Sequence, residues 1–548
     1  MTEKQPEKHD RSLVQETTWQ SVDQGTMEQQ PAESTPYSAA AERKLVRKID
    51  LMILPLMLVA YMMAYLDKQA LSYAALMGLQ KDLHLIGSQY SWTSGIFYFG
   101  YLFFSYPASL LMVKFPLGKY LAVSFMLWAV VLTCHAATKN FTTMMVTRFL
   151  LGCTEASLSP GFTLITSLWY RTSEQPLRAG IWFCGNAISA ILGNLIAVGI
   201  LQIKEHLYPW QWLFIIFGLA TLAWGLLMLL RLPDSPTNAT FLTEEERAIA
   251  IERMRANKTG FKNTHIDRSQ IAEAFTDVKT WLLAILILAS NIPNGGFTTF
   301  NGLVLKGFGF DTFHTLLLGV PGGFIVFVFV LVSCTISSKV PNSRCLVIAA
   351  TITVSIVGSV MVYAGTSTGV RYAGLLLMGI YSCSMPVSLA MISSNVGGFT
   401  KRSSVSAIYF IMYCAGNIIG PQLFFAHEAP KYQSGFLAII VCLVICLITA
   451  LALFFYLRWE NARRDRLSMT VRPAEFSGVG VCIGSLRDMA LSENNCITDL
   501  LSTLDDHPNV LPGGDASHKC NLDLALRCTT ARIGHFDGSQ LFGFNLGS

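Results

Sequence analysis

The polar and apolar positions of this chain alternate on the scale of a bilayer rather than of a single helix face. A membrane-spanning helix needs roughly 20 mostly apolar residues. Twelve stretches reach that length, at 49–67, 91–112, 119–138, 141–161, 179–201, 210–231, 280–301, 313–336, 345–365, 371–393, 403–426 and 434–457. Short loops join them, except for one polar stretch at 232–279 that divides the spans six and six. The pattern predicts an all-α membrane protein with twelve transmembrane helices in two six-helix bundles, 49–231 and 280–457. A polar tail precedes them at 1–48 and another follows at 458–548. No cleavable signal is visible in the first forty residues, so the first span is expected to act as the insertion signal.

Inside the polar divider, Thr243-Glu244-Glu245-Glu246 reads as a capping box, with Glu246 reaching back to the Thr243 amide. Acidic residues open this helix and Arg253 and Arg255 close it, as the helix dipole prefers. A solvated connector helix followed by a linker is expected. The halves also share a short likeness. Cys184-Gly185-Asn186-Ala187-Ile188 in the fifth span resembles Ala415-Gly416-Asn417-Ile418-Ile419 in the eleventh, the fifth span of its own half. Parallel six-helix repeats build one large class of transporters, with the binding site between the halves.

Composition strengthens the membrane reading. Hydrophobic residues make up 52% and charged residues 14%, against about a quarter charged in soluble domains. Lys and Arg gather in alternate loops: Arg43, Lys44, Arg47 and Lys48 before the first span, Arg171 and Arg178 between the fourth and fifth, Lys401 and Arg402 before the eleventh, and Arg458, Arg463, Arg464 and Arg466 after the last. That bias assigns both termini and the central loop to the cytoplasm. Cysteines are scattered singly through the apolar runs, with no CxxC spacing. There is no GxxxxGK[ST] for an ATP-driven pump, no HExxH and no dinucleotide fingerprint on a strand. No catalytic residue, metal, cofactor or nucleic-acid partner is expected. The expected partner at this level is the lipid bilayer, and the chain is expected to be monomeric.

An ionisable residue inside a span costs about 2.5–3.5 kcal/mol on insertion scales and is a functional candidate by default. The fourth span holds Arg148 and Glu155, which share a helix face about 10 Å apart. Arg148 offers a planar cationic fork suited to a carboxylate. Glu155 is a carboxyl in an apolar setting, suited to exchanging a proton near neutral pH. The other reading of both is a structural ion network. The first span ends in Asp67-Lys68. Asp67 is expected to face Arg148, and Lys68 either the cavity or, by snorkelling, the headgroups. No His lies mid-span (His135, His206, His314 and His427 sit near predicted outer ends), so proton coupling falls to Asp67 and Glu155.

Neutral candidates for a polar, substrate-binding cavity are Tyr98, Tyr101, Asn186, Asn291, Asn294, Tyr381, Tyr413 and Asn417, with Gln422 beside them. Each serves equally well as hydrogen-bonding glue between helices. Pro160-Gly161, Pro293, Pro321-Gly322-Gly323, Pro386 and Gly420-Pro421 are expected to bend spans where backbone lines a cavity.

Longer stretches carry a family likeness: Leu66-Asp67-Lys68-Gln69-Ala70-Leu71-Ser72-Tyr73-Ala74, Ile96-Phe97-Tyr98-Phe99-Gly100-Tyr101 after Ser91-Trp92, and Pro116-Leu117-Gly118-Lys119-Tyr120-Leu121. Arg148-Phe149-Leu150-Leu151-Gly152 with Glu155, Glu174-Gln175-Pro176-Leu177-Arg178, Asn395-Val396-Gly397-Gly398-Phe399-Thr400-Lys401-Arg402 and Gly416-Asn417-Ile418-Ile419-Gly420-Pro421-Gln422 continue it. Over roughly 45–467, the chain resembles the major facilitator superfamily and, within it, the anion:cation symporters of the fungal allantoate permease subgroup. The resemblance implies that Asp67, Lys68, Arg148 and Glu155 match positions that serve proton coupling and carboxylate binding in bacterial symporters of that superfamily. Many relatives have Arg at the position of Lys68, so here a point charge replaces a bidentate fork.

The resemblance implies proton-coupled import, by alternating access, of an allantoate- or ureidosuccinate-like carboxylate at a fungal plasma membrane. Nicotinate- or pantothenate-type carboxylates, small peptides, a vacuolar location and a non-transporting nutrient sensor are the alternatives. The stretch 468–548 departs from the family pattern, and is read as an intron-derived translation or else a genuine tail.

Overall fold

The computed structural model of the chain describes residues 38–171, 174–203, 206–256, 268–340 and 342–470. The two readings of the C-terminal tail concern residues that lie, from 471 on, outside that set. Among the described residues every regular element is a helix. The first, α1 (Ala39–Leu76), is capped by the Ser38 side chain, which accepts from the Ala41 amide at 3.1 Å. It runs well past residue 67, because Gln69-Ala70-Leu71 continue it and the chain turns only at Gly78, with φ +105°. Asp67 and Lys68 therefore lie inside the span rather than at its end.

The remaining crossings of the first half are α2 (Gln89–Lys114), α3 (Leu117–Cys134), the pair α4 (Phe141–Glu155) and α5 (Leu158–Trp169), the pair α6 (Gln175–Phe183) and α7 (Gly185–Leu201), and α8 (Pro209–Arg231). The central loop carries α9 (Glu244–Ala256) and α10 (Arg268–Thr276). The second half has α11 (Val278–Lys306), α12 (Thr312–Lys339), α13 (Arg344–Ala364), the pair α14 (Thr368–Met378) and α15 (Ser384–Asn395), α16 (Phe399–Gln422) and α17 (Gln433–Thr470). Eleven helices among the described residues are long and apolar enough to cross a membrane. The twelfth crossing, fourth in order, is α4 and α5 set end to end.

The breaks do not fall at every Pro. Pro293, Pro321 and Pro421 sit inside continuous helices. The fourth crossing breaks at Ala156-Ser157, just ahead of Pro160, whose ring and missing N–H are accommodated without loss in a first helical turn. Pro386 likewise falls in the first turn of α15, after a 3₁₀ segment at Gly379–Cys383. The fifth crossing breaks at Cys184 with no Pro near the break, Pro176 lying in the first turn of α6.

The short internal likeness has a structural counterpart. A Cβ on Gly185 would come within 2.6 Å of the Leu58 carbonyl on α1. A Cβ on Gly416 would come within 2.9 Å of the Leu288 carbonyl on α11. In each half, then, the fifth crossing lies backbone to backbone on the first through the same glycine, an approach no larger residue permits.

In the central loop the capping box forms, with the Thr243 amide donating to Glu246 at 3.0 Å and the Glu246 amide to the Thr243 hydroxyl at 3.3 Å. The helix is not a solvated connector, however. Arg253 is buried and donates to Glu42 of α1 at 2.8 Å and to Glu174 at 2.7 Å. A buried guanidinium needs such partners, and two carboxylates on the first half supply them. The helix α10 was not anticipated; its Glu273 and the following Asp277 hold Lys401 of α16 at 2.6 and 2.8 Å.

Candidate functional site

The two halves enclose a cavity of about 160 Å³. Its first-half wall carries Tyr61, Tyr65, Lys68 and Gln69 of α1, with Tyr98, Glu155 and Asn186. Tyr61, Tyr65 and Gln69 fall four apart and Lys68 three beyond Tyr65, so one face of that helix looks into the space. The second-half wall carries Asn291, Asn294, Thr298 and Asn301 of α11, with Tyr381 and Tyr413.

The charged element is the pair Lys68–Glu155, with Nζ 2.7 Å from Oε1. The Glu155 side chain is 2% exposed and that of Lys68 20%. Glu155 is the last residue of α4, at the break in the fourth crossing, and its second oxygen has no hydrogen-bond partner. The ammonium also stands 5.7 Å from the centre of the Phe97 ring and 6.0 Å from that of Tyr101, favourable distances for a cation over aromatic faces.

Asp67 and Arg148 lie elsewhere. Neither lines the cavity; both are buried within the first half. Asp67 accepts from the Trp128 indole at 2.8 Å. The Arg148 guanidinium stands 5.7 Å from the centre of the Phe214 ring, which His135 stacks on from 5.0 Å. His135 is itself fully buried. The fork expected at Arg148 to meet a substrate is thus behind the cavity wall, and Lys68 is the cation that faces the space.

The second half answers with neutral groups joined in series. The Tyr381 hydroxyl donates to Asn294 Oδ1 at 3.2 Å, Asn294 Nδ2 to Asn417 Oδ1 at 2.8 Å, and Asn417 Nδ2 to Asn291 Oδ1 at 3.1 Å. Asn291 Nδ2 ends the series on the Ile287 carbonyl at 2.8 Å. Tyr98, Asn186, Asn291, Asn294, Tyr381 and Tyr413 all line the cavity, whereas Tyr101 and Asn417 do not. Tyr101 instead packs its ring 5.2 Å from Phe410 across the two halves.

Sequence reasoning passed over Tyr61, Tyr65, Gln69 and Asn301. Helical spacing was the available signal: Tyr61 and Tyr65 fall on the Lys68 face of α1, and Asn301 lies two turns beyond Asn294 on α11.

The cavity is sealed toward the end where α1 and α11 finish. There Tyr90 donates to the Thr299 carbonyl at 2.9 Å, Ser94 and Thr299 hydroxyls meet at 2.8 Å, and the Gly302 amide donates to Ser72 Oγ at 3.4 Å. Each of these bonds joins one half to the other.

Comparison with known proteins agrees with this architecture. Residues 57–421 match the model of the Major Facilitator Superfamily. An uncharacterized transporter of Schizosaccharomyces pombe is 40% identical over 78% of this chain and 84% of its own length. The allantoate permease of Saccharomyces cerevisiae is 36% identical over 82% of this chain and 85% of its own. Among solved structures, a bacterial homolog of the human lysosomal transporter Spinster, in an inward-facing, unoccupied conformation, superposes with a TM-score of 0.54 at 13% identity, covering 76% of this chain and 97% of that one.

Proposed function

This chain belongs to the major facilitator superfamily, and on that premise we propose that it imports a small organic anion together with protons. The observation that carries the reading is the Lys68–Glu155 ion pair on the cavity wall. A carboxylate substrate competes with Glu155 for Lys68. Once displaced, Glu155 is an unpaired carboxylate in an enclosed site, a costly arrangement that a proton relieves. Substrate and proton therefore favour each other's binding, and linkage makes the effect mutual. Asp67 and Arg148 act from behind the wall: Asp67, held by Trp128, is the second proton-exchanging candidate, and Arg148 supplies a buried positive charge to the same half. The termini and central loop are assigned to the cytoplasm of a plasma-membrane protein by their Lys and Arg. The seal at Tyr90 and Thr299 then closes the outer end.

An allantoate- or ureidosuccinate-like carboxylate is the favoured substrate, supported by the 36% identity to a permease named for allantoate. Radiolabelled uptake in a permease-null yeast tests both parts. Wild type should concentrate substrate at acidic outside pH. Glu155→Gln, which mimics the protonated state, should keep binding and exchange but lose pH-driven accumulation. Normal uphill uptake by Glu155→Gln would move the coupling role to Asp67. No uptake of any small carboxylate, despite surface expression, would leave a non-transporting sensor.

A further inference from the structure

Asn301 stands apart from the other polar groups that its helix brings to the cavity. Asn291 and Asn294 are tied into the amide series, and the Thr298 hydroxyl donates to the Asn294 carbonyl at 2.6 Å. Asn301 lines the same cavity, yet its Oδ1 is buried with no hydrogen-bond partner. A buried acceptor without a donor is costly, and the cost is recovered when a ligand brings one.

Its location bounds what that ligand looks like. The next residue, Gly302, donates its amide to Ser72 of α1. Ser72 is one turn along α1 from Lys68, a rise of about 6 Å. Asn301 is therefore level with a point one helical turn along α1 from the Lys68 backbone, on the opposite half. We infer that Asn301 is a specificity-determining residue, accepting a hydrogen bond from an N–H on the neutral end of a substrate whose carboxylate is held at Lys68. The substrates selected are carboxylates that also bear an amide or ureido N–H, and plain carboxylates of equal length are disfavoured. Thr299 and Gly302, which flank Asn301, both bond across the outer seal. A substrate that reaches Asn301 thus touches the segment that holds that end shut.

This inference rests on the carboxylate reading of Lys68, and the test separates the two. The full-length protein in lipid nanodiscs is titrated with N-carbamoylaspartate and with its derivative methylated on the N–H-bearing nitrogens, which keeps the carboxylates and the carbonyl. Wild type should bind the N–H form at least about tenfold more tightly, the scale set by one unsatisfied buried acceptor. Asn301→Leu should erase that ratio while leaving the affinity for the methylated form within about twofold, which also reports that the variant is folded. Asn301→Gln, with its acceptor kept on a longer stem, should restore part of the ratio. An unchanged ratio in Asn301→Leu, or no preference in wild type, overturns the role of Asn301. In either event, loss of both ligands in Lys68→Gln would leave the carboxylate reading standing. Failure of wild type to bind either form overturns both inferences.

Discussion

The two walls of the cavity are built on opposite electrical plans. The first half presents an ammonium and a carboxylate in direct contact, Lys68 and Glu155 at 2.7 Å. The second half presents no charge among the residues that line the space, only amides, phenols, hydroxyls and apolar groups. The difference extends to how committed each side is. The second-half amides of Asn291, Asn294 and Asn417 are bonded to one another and to the helix backbone, so they hold a shape, with Asn301 the exception. The first-half pair leaves one Glu155 oxygen unpartnered and can be opened by any competing anion or proton. The proposed coupling is accordingly placed on the exchangeable wall and the proposed selection on the other, since only groups whose partners change can carry a charge through a cycle.

The sharpest way to break this comparison is to remove the charge. Lys68→Gln should cost roughly 2–5 kcal/mol of carboxylate binding, the usual penalty for deleting one member of an enclosed charge pair. Isothermal titration on the purified protein measures it. Wild-type affinity in that variant would take the anion site away from the first half. A smaller effect, of a different kind, is expected from the neutral wall. Asn417→Leu strands the Asn291 and Asn294 side chains and should lower stability by about 1–3 kcal/mol, read by thermal unfolding. Substrate affinity should fall with it, while the pH dependence of uptake stays that of wild type. A shifted pH profile in Asn417→Leu would mean that coupling is shared by both walls.

The smallest effect tests the cytoplasm-assigned end, where each half carries ion pairs and the second half holds the cluster of Lys401 with Glu273 and Asp277. Burial works against the Asp277 carboxylate, but hydrogen bonds from Lys401 and from the Lys279 amide outweigh it and hold its pKa below the ordinary value. A depressed carboxylate contributes stability that is fully present above the unfolded pKa of about 3.9 and is lost as pH falls through the folded value. Asp277→Asn should therefore cost up to about 1 kcal/mol at pH 7, limited because Lys401 keeps Glu273 and the cluster borders solvent. The gap between variant and wild type should close as unfolding is followed below about pH 4. A constant gap would assign the loss to packing instead.

Much of this architecture was legible in the chain. Twelve apolar runs and one long polar divider dictated two bundles of six, because a bilayer admits few alternatives to helices of that length. The rarity of charge inside the spans singled out Asp67, Lys68, Arg148 and Glu155 before any coordinates. The glycine of each fifth crossing announced the internal repeat. Which ion meets which was another matter. Asp67 and Lys68 are neighbours in sequence, but adjacent helical positions point about 100° apart, so one is carried to Trp128 inside the bundle and the other to Glu155 on the cavity. Arg148 and Glu155 share a helix, yet two turns of rise and the different helices packed around them leave only Glu155 on the wall. The amide series likewise depends on α11, α16 and the 3₁₀ segment at Tyr381 converging from positions more than eighty residues apart. Pattern and composition set the helices and their number, since each run meets the membrane by itself. Pairing between helices needed the fold, because it is settled by rotation and depth, quantities that no single segment contains.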